Sequence, residues 1–193
     1  MNWKNTEDRY GTLSIAMHWL MLALLVAVYS CILLREVYPK GSDPREALKT
    51  WHFMLGLSVF GLVFIRLAIR LLGASPKIVP PVGIWQHRVS ALMHLALYLF
   101  MIAMPLLGWL TLSAAGKTIP FFGLELPALV GPDKELAGTL KDLHETIGEI
   151  GYYLIGLHAL AALFHHYVIR DNTLLRMLPG RDRPLDAARG GKT

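Results

Sequence analysis

The sequence predicts an all-α fold, an integral membrane bundle of four helices. The 193 residues are 54% hydrophobic and only 17% charged, which is too apolar for an ordinary soluble domain. A helix that crosses a bilayer needs about 20 consecutive, mostly apolar residues, and four segments of the chain meet this requirement. Together they predict one membrane domain over residues 1–180, followed by a disordered tail at 181–193.

The four predicted spans are residues 14–34, 51–72, 89–113 and 143–168. The first is interrupted by few polar side chains, among them His18, and the second contains Arg66 and Arg70. The third contains Pro105, which neighbouring helices can accommodate inside a membrane. The fourth is expected to start early, with residues 134–140 forming its polar first turns.

Positively charged residues predict the orientation. The N-terminus, the connection between the second and third spans and the C-terminal tail carry twelve Lys and Arg, and the other two connections carry seven. Cytoplasmic segments are enriched in Lys and Arg, so both termini are expected in the cytoplasm. The net charge of +5 then reflects topology, and no nucleic-acid partner is predicted. The longest connection, 114–142, is apolar enough to lie over the outer end of the bundle.

The fourth span is mostly apolar yet contains four histidines: His144, His158, His165 and His166. An ionisable residue at membrane depth indicates function by default. His144 and His158 lie about 21 Å apart along a helix and within about 40° of the same face. Gly151 lies midway between them, with Gly148 and Gly156 nearby. These small residues are expected to let a bulky, flat group approach the helix.

The first two spans supply histidines at matching depths. The second span starts outside, so His52 is level with His144, and no other histidine lies near the outer surface. The first span starts inside, so His18 is roughly level with His158. Two haems in a helical bundle require two pairs of imidazoles. Within each pair the imidazoles must lie at the same depth, so that they can bind the iron from both faces of the haem. Other histidines share the inner side, so that pairing has rivals: His87, His94, His165 and His166.

Arg66 follows His52 by about four helical turns, on the same face at the inner level. A guanidinium at that depth needs an anion, and a haem propionate is a suitable one. Arg66 and Arg70 can also simply extend to the inner surface. A zinc or copper site, as in a histidine-based metal transporter, usually has three or four ligands close together. Only Glu145 and Glu149 are available to complete such a site outside, so this alternative is the weaker one.

Four stretches closely resemble the bacterial cytochrome b561 family, in its small four-helix, di-haem branch: "SIAMHWLM", "WHFMLG", "HLALYLFMIAMPLLGW" and "LHETIGEIGYYLIGLHALAALFHHYVIRDNTLLRMLPG". The resemblance covers residues 9–180. It implies b-type haem ligands at His18, His52, His144 and His158, the positions that the depth argument selects. It also implies an inner-membrane carrier that exchanges electrons with ubiquinone. The chain is most similar to the subgroup that oxidises superoxide on the periplasmic side.

On this interpretation superoxide must reach the outer haem and a quinone the inner end. Basic residues of the first connection are expected to steer the anion: Lys40, Arg45 and Lys49. Quinone reduction requires hydrogen-bond donors and protons near the inner end, for which the candidates are His94, His87, His165, Ser14 and Arg88. The sequence leaves open the role of His166 and whether the protein forms a homodimer.

A function of a different class is also open. Related cytochromes serve as membrane electron-transfer subunits of hydrogenases and formate dehydrogenases. The connection at 114–142 would then be the docking surface for that partner. Such subunits tend to carry additional spans or a docking extension, and the sequence predicts neither.

Overall fold

The computed structural model describes residues 3–7 and 9–179, which contain four long helices. They are α1 (Thr12–Leu34), α2 (Asp43–Leu72), α3 (Ile84–Ala114) and α4 (Lys134–Phe164). Each is long and apolar enough to cross a membrane, which confirms the prediction of an all-α membrane bundle with four helices. The tail at 181–193 and the domain boundary at residue 180 lie outside the described residues.

Polar caps set where the helices begin. Ser42 precedes α2, and Pro44 occupies its first turn, where the missing N–H costs nothing. The Asp133 side chain accepts hydrogen bonds at 3.0 Å from the backbone N–H groups of Glu135 and Leu136 at the start of α4. Both helices therefore begin before the predicted apolar spans, because their polar first turns extend beyond the hydrocarbon.

The helices pack in chain order, α1 along α2, α2 along α3 and α3 along α4. Their shared core consists of Met21, Val59, Val63, Phe100 and Met101. In contrast, the backbone of α4 makes little or no close contact with α1 or α2. The bundle is therefore open along one side, where only side chains connect α4 to the first two helices.

One end of the bundle, here called the hairpin end, carries the connections at 35–42 and 115–133. The longer connection forms a two-stranded antiparallel sheet, β1 (Ile119–Phe121) and β2 (Leu124–Leu126), which the sequence did not predict. Phe122 and Gly123 both have positive φ and form the tight turn between the strands. The Phe122 ring packs against Trp51 at 6.2 Å between centroids, so the sheet lies against the start of α2.

The opposite end, here called the terminal end, joins the N-terminal segment, the connection at 73–83 and the chain after α4. A π-helical turn, His165–Ile169, follows α4, and Arg170 with φ 60° reverses the chain direction. The backbone N–H of Asn172 then donates to the Val79 carbonyl at 3.1 Å, and its side-chain Oδ1 accepts from the Val79 N–H at 2.9 Å. The Trp19 indole donates to the Met177 carbonyl at 2.7 Å. These bonds fix the segment after α4 across the end of the bundle.

Candidate functional site

His52 and His144 meet near the hairpin end, across the open side of the bundle. Their ring centroids are 6.2 Å apart, with α2 supplying one ring and α4 the other. Nδ1 of His52 is 3.0 Å from the carbonyl oxygen of Val28 on α1, and donates to it. The proton is then on Nδ1, and Nε2 is free to bind a metal. On the other ring, a Cβ added to Gly108 would lie 3.3 Å from Cε1 of His144, so α3 packs closely against the imidazole.

Three histidines lie together near the terminal end. His18 on α1 and His158 on α4 have ring centroids 6.3 Å apart. His94 on α3 is also adjacent to His158, at 5.6 Å between centroids. The structure therefore brings His18 and His158 together at one level, and it places one of the predicted rivals beside them.

The spacing of these rings fits iron held between two imidazoles. Two imidazoles that bind one metal ion from opposite sides, each through a nitrogen about 2 Å away, have ring centroids about 6 Å apart. The His52–His144 and His18–His158 separations are 6.2 and 6.3 Å. Each pair joins α4 to α1 or α2, across the side where the backbones stay apart. One turn after His52 on the same face, Gly56 has open space where a Cβ would be. The donor set and the available space therefore suit a flat, iron-containing group such as haem.

Side chains of neighbouring helices fill the space beside Gly151, midway between His144 and His158 on α4. A Cβ on Gly151 would collide with the Phe100 ring and the Tyr29 hydroxyl, so side chains of this chain occupy the space beside that glycine. Tyr29 also donates a 2.6 Å hydrogen bond to the Gly148 carbonyl, and its ring centroid is 4.2 Å from that of Tyr152. The flat group that approaches α4 at Gly151 in the structure is therefore the Phe100 ring. This glycine lets an aromatic layer form between the two histidine levels.

Arg66 lies at the predicted inner level, but its neighbour is a histidine. Its Nη2 donates to Nδ1 of His18 at 3.1 Å. Beside it is a small, open cavity at the terminal end, whose lining also includes Arg70 and the predicted quinone candidate Ser14. The other lining residues are Asn5, Tyr10, Met17, Ile69, Tyr98 and Met177. Among the residues that the structure describes, no carboxylate lines this cavity, so its two guanidinium groups make it suitable for an anion or a carbonyl oxygen.

The remaining quinone candidates are dispersed over the terminal end. His87 and Arg88 are exposed on the first turns of α3, away from the cavity lining. Ser14 is buried, and its hydroxyl donates to Asn5 Oδ1 at 2.7 Å. His165 donates from Nδ1 to Asp171 Oδ2 at 2.5 Å.

Sequence analysis missed two of these partners. Asn5 precedes the first apolar run, and nothing in its local sequence links it to Ser14. Asp171 follows the π-helical turn, and a single acidic residue directly after the last apolar helix was the one available signal.

Two of the three predicted steering cations are paired with carboxylates. Arg45 contacts Glu36 at 3.0 Å, and Lys49 contacts Glu46 at 2.7 Å. Each carboxylate offsets the field of its partner, so these two cations attract an anion less than an unpaired cation would, and their steering role stays a prediction. Lys40 is exposed on the same connection.

Metal sites of the transporter type find no support in the described ranges. Within residues 3–7 and 9–179, no three His, Cys, Asp or Glu side chains are arranged so that they could bind one metal ion, and this includes the three histidines near the terminal end. Glu145 instead pairs with Lys141 at 2.9 Å on the surface of α4.

Comparison with known proteins gives a consistent result. Residues 9–180 match the family model described as prokaryotic cytochrome b561. The chain is 41% identical over 174 residues to cytochrome b561 homolog 1 of Escherichia coli (strain K12), covering 90% of this chain and 99% of that protein. It is 39% identical over 173 residues to a probable superoxide oxidase CybB of Yersinia pestis, covering 90% and 97%. Cytochrome b561 homolog 2 of Escherichia coli (strain K12) is 29% identical over 179 residues, covering 92% and 95%.

Proposed function

Because the chain belongs to the prokaryotic cytochrome b561 family, we propose that it is a di-haem cytochrome of the bacterial inner membrane that transfers electrons from superoxide to ubiquinone. Family membership and four apolar helices make it a multi-pass membrane electron-transfer protein with b-type haem. We propose in addition the number of haems, the electron donor, the electron acceptor and the orientation in the membrane.

The proposal rests on two pairs of histidines, each formed by side chains from two different helices. The ring centroids are 6.2 Å apart in the pair near the hairpin end and 6.3 Å apart in the pair near the terminal end. We assign His52 and His144 to one haem and His18 and His158 to the other. When bound, haem supplies an iron centre that takes up and releases one electron at a time. The protein contributes the axial nitrogens and holds them at two depths of the membrane.

The ring environments differ between the two proposed sites. The Val28 carbonyl already orients His52, so Nε2 carries the lone pair that iron requires. At His18 the Arg66 guanidinium, which has only donors, faces Nδ1, and the ring proton is then on Nε2. If His18 were to hold the iron through Nε2, its ring proton would have to lie on Nδ1, and Arg66 could then not donate to that atom. A haem propionate would give this guanidinium a charged partner, as proposed from the sequence.

Superoxide is the proposed donor at the hairpin end, which we assign to the periplasmic side. The support is 39% identity to a probable superoxide oxidase over 97% of that protein. Lys40 is exposed at this end and remains the steering candidate, whereas Arg45 and Lys49 are paired with carboxylates. In the overall reaction two superoxide anions each lose one electron and become O₂.

Ubiquinone is the proposed acceptor at the terminal end. It takes up the two electrons and two protons from the cytoplasmic side, which gives ubiquinol. The support is the cavity beside Arg66, with Ser14, Arg70 and Tyr98 as potential hydrogen-bond partners of a quinone carbonyl. His94 and His165 are the imidazoles on this side that can deliver protons.

Two measurements on the purified protein test the proposal. Pigment analysis is expected to give two haems b per chain, and one haem or none would contradict the assignment of ligands. Addition of superoxide is then expected to reduce the haems and, when ubiquinone is supplied, to produce ubiquinol. A membrane subunit for a dehydrogenase or hydrogenase would contain haem but would not react with superoxide, and a metal transporter would show no haem spectrum.

A further inference from the structure

The unexplained feature of the terminal end is a buried carboxylate beside a histidine. The Asp171 side chain is 0% exposed and the His165 side chain 21% exposed, and Nδ1 of His165 donates to Oδ2 of Asp171 at 2.5 Å. A buried charge of this kind is costly unless it is paired and hydrogen-bonded. Asp171 meets both conditions, since it also accepts from the backbone N–H of Thr173 at 2.8 Å.

The chain geometry places this pair in line with the proposed ligands. His165 follows His158 by about two helical turns, which is about 10 Å along the axis and nearly the same face of α4. Asp171 reaches back to it because the π-helical turn and the left-handed Arg170 reverse the chain. Asn172 secures that reversed chain through hydrogen bonds to Val79 and Lys77 of the neighbouring connection.

Resting on the proposed function, we propose that Asp171 is a positioning residue that fixes His165 as the proton donor to ubiquinone at the terminal end. The carboxylate holds the ring proton on Nδ1, so Nε2 is the nitrogen that exchanges protons. For each ubiquinone, two electrons arrive from two superoxide anions. The His165 Nε2–H bond breaks as a quinone O–H bond forms, and cytoplasmic water returns the proton before the second transfer.

Two observations support this role over a purely structural one. Burial alone would raise the pKa of Asp171, but the hydrogen bonds from His165 and Thr173 outweigh it and hold the pKa below its usual range. The carboxylate therefore stays charged at neutral pH and orients the imidazole next to it through the Nδ1–H bond. Moreover, Asn172 holds the same segment through its own hydrogen bonds to Val79 and Lys77, and these two bonds do not involve the Asp171 carboxylate.

The test compares Asp171→Asn with Asn172→Ala in the haem-loaded, full-length protein. Asp171→Asn is expected to lower kcat for ubiquinone reduction at least about tenfold, with KM for ubiquinone within about twofold, because general acid catalysis contributes about 100-fold or more. Reduction of the haems by superoxide without quinone is expected to stay at the wild-type rate. Asn172→Ala is the matched control: it loosens the same segment but keeps the carboxylate, so its loss of kcat is expected to be clearly smaller than that of Asp171→Asn.

A double variant shows whether Asp171 acts through the histidine. In a His165→Gln background, Asp171→Asn is expected to have no further effect on kcat. Asp171→Glu keeps a carboxylate and is expected to recover part of the rate.

The inference is overturned by a wild-type kcat in Asp171→Asn, by an equal loss in Asn172→Ala, or by a full additional loss in the double variant. Loss of haem from both Asp171 variants would also overturn it, since Asp171 would then serve the fold. A wild-type protein that does not reduce ubiquinone at all would contradict the proposed function instead.

Discussion

His52 and His18, which belong to the two different proposed haem sites, have different surroundings. His52 donates to a backbone carbonyl of α1, an arrangement that fixes the tautomer needed for iron. At His18, Nδ1 instead accepts from the Arg66 guanidinium, which leaves the ring proton on Nε2. The two proposed sites therefore differ in which ring nitrogen of the histidine carries the proton.

This difference leads to a prediction for single ligand variants. His52→Ala or His144→Ala is expected to remove one haem and keep the other, so the pigment content falls to about half, since each iron depends on its own two axial nitrogens. Pyridine haemochrome measurements on the purified variants check this. His87→Ala, an exposed histidine on α3, is the matched control and should keep the full pigment content. Equal loss of both haems from His52→Ala would contradict independent sites.

Gly151 gives a second prediction at the scale of one residue. Gly151→Ala places a methyl group against Phe100 and Tyr29, and Tyr29 would have to give up its hydrogen bond to Gly148. We expect the free energy of unfolding to fall by about 1–3 kcal/mol, the usual cost of overpacking. Thermal unfolding in detergent measures the change.

Gly156 on the same helix is the control for this substitution. Nothing lies within 4 Å of a Cβ at Gly156, so Gly156→Ala is expected to keep or slightly raise the stability through helix propensity. A Gly151→Ala protein as stable as Gly156→Ala would show that the aromatic layer adjusts without cost.

Among the connecting elements, the turn between α1 and α2 depends on Arg45. Its guanidinium donates to the carbonyl oxygens of Arg35 and Tyr38 at 2.9 and 3.0 Å, and its side chain is 11% exposed. Arg45→Ala leaves these carbonyls without their charged donor, so we expect the free energy of unfolding to fall by about 1–3 kcal/mol. The melting temperature is the measurement.

Lys49 provides the comparison for Arg45. It pairs only with Glu46 at the surface, an arrangement that contributes little to stability. Lys49→Ala is therefore expected to leave the melting temperature unchanged. If both variants also keep the wild-type rate with superoxide at low salt, the neutralised cations have no steering role, in agreement with their ion pairs.

The segment after α4 has a predictable response to acid. The pKa of Asp171 is held below its usual range despite burial, chiefly by the hydrogen bond from His165. Because the folded state depresses this pKa, the contribution to stability is complete above the unfolded pKa of about 3.9 and is lost as the pH falls through the folded value. Melting temperatures between pH 7 and pH 3 should thus fall less steeply in Asp171→Asn than in the wild type. Parallel curves would contradict the depressed pKa.

The helices were predictable from sequence to different degrees along their length. Their apolar middles follow directly from hydropathy, and Pro105 lies inside α3 as expected. The early start of α2 is polar and that of α3 combines Ile84 and Trp85 with polar residues, so composition alone does not distinguish them from connections. The strands at Ile119–Phe121 and Leu124–Leu126 have three residues each and depend on packing against α2, which a local pattern does not reveal.

For the whole molecule, the orientation in the membrane is the main testable property. The distribution of twelve Lys and Arg against seven predicts that the terminal end faces the cytoplasm. A fluorescent protein fused to the C-terminus is expected to fluoresce, and alkaline phosphatase inserted near Gly131 in the connection at the hairpin end is expected to be active. The reverse pattern would place the proposed superoxide side in the cytoplasm and contradict the assigned direction of electron flow.

The sequence by itself determined the four membrane helices and the depths of His18, His52, His144 and His158, because apolar length and the constant rise of a helix fix both. Only the tertiary structure decided which rings face each other, since rotation about each helix axis depends on packing with its neighbours. It also decided that Arg45 pairs with Glu36, that Phe100 occupies the space beside Gly151, and that Asp171 returns to His165. These contacts join residues distant in sequence or across a chain reversal, so no local pattern determines them.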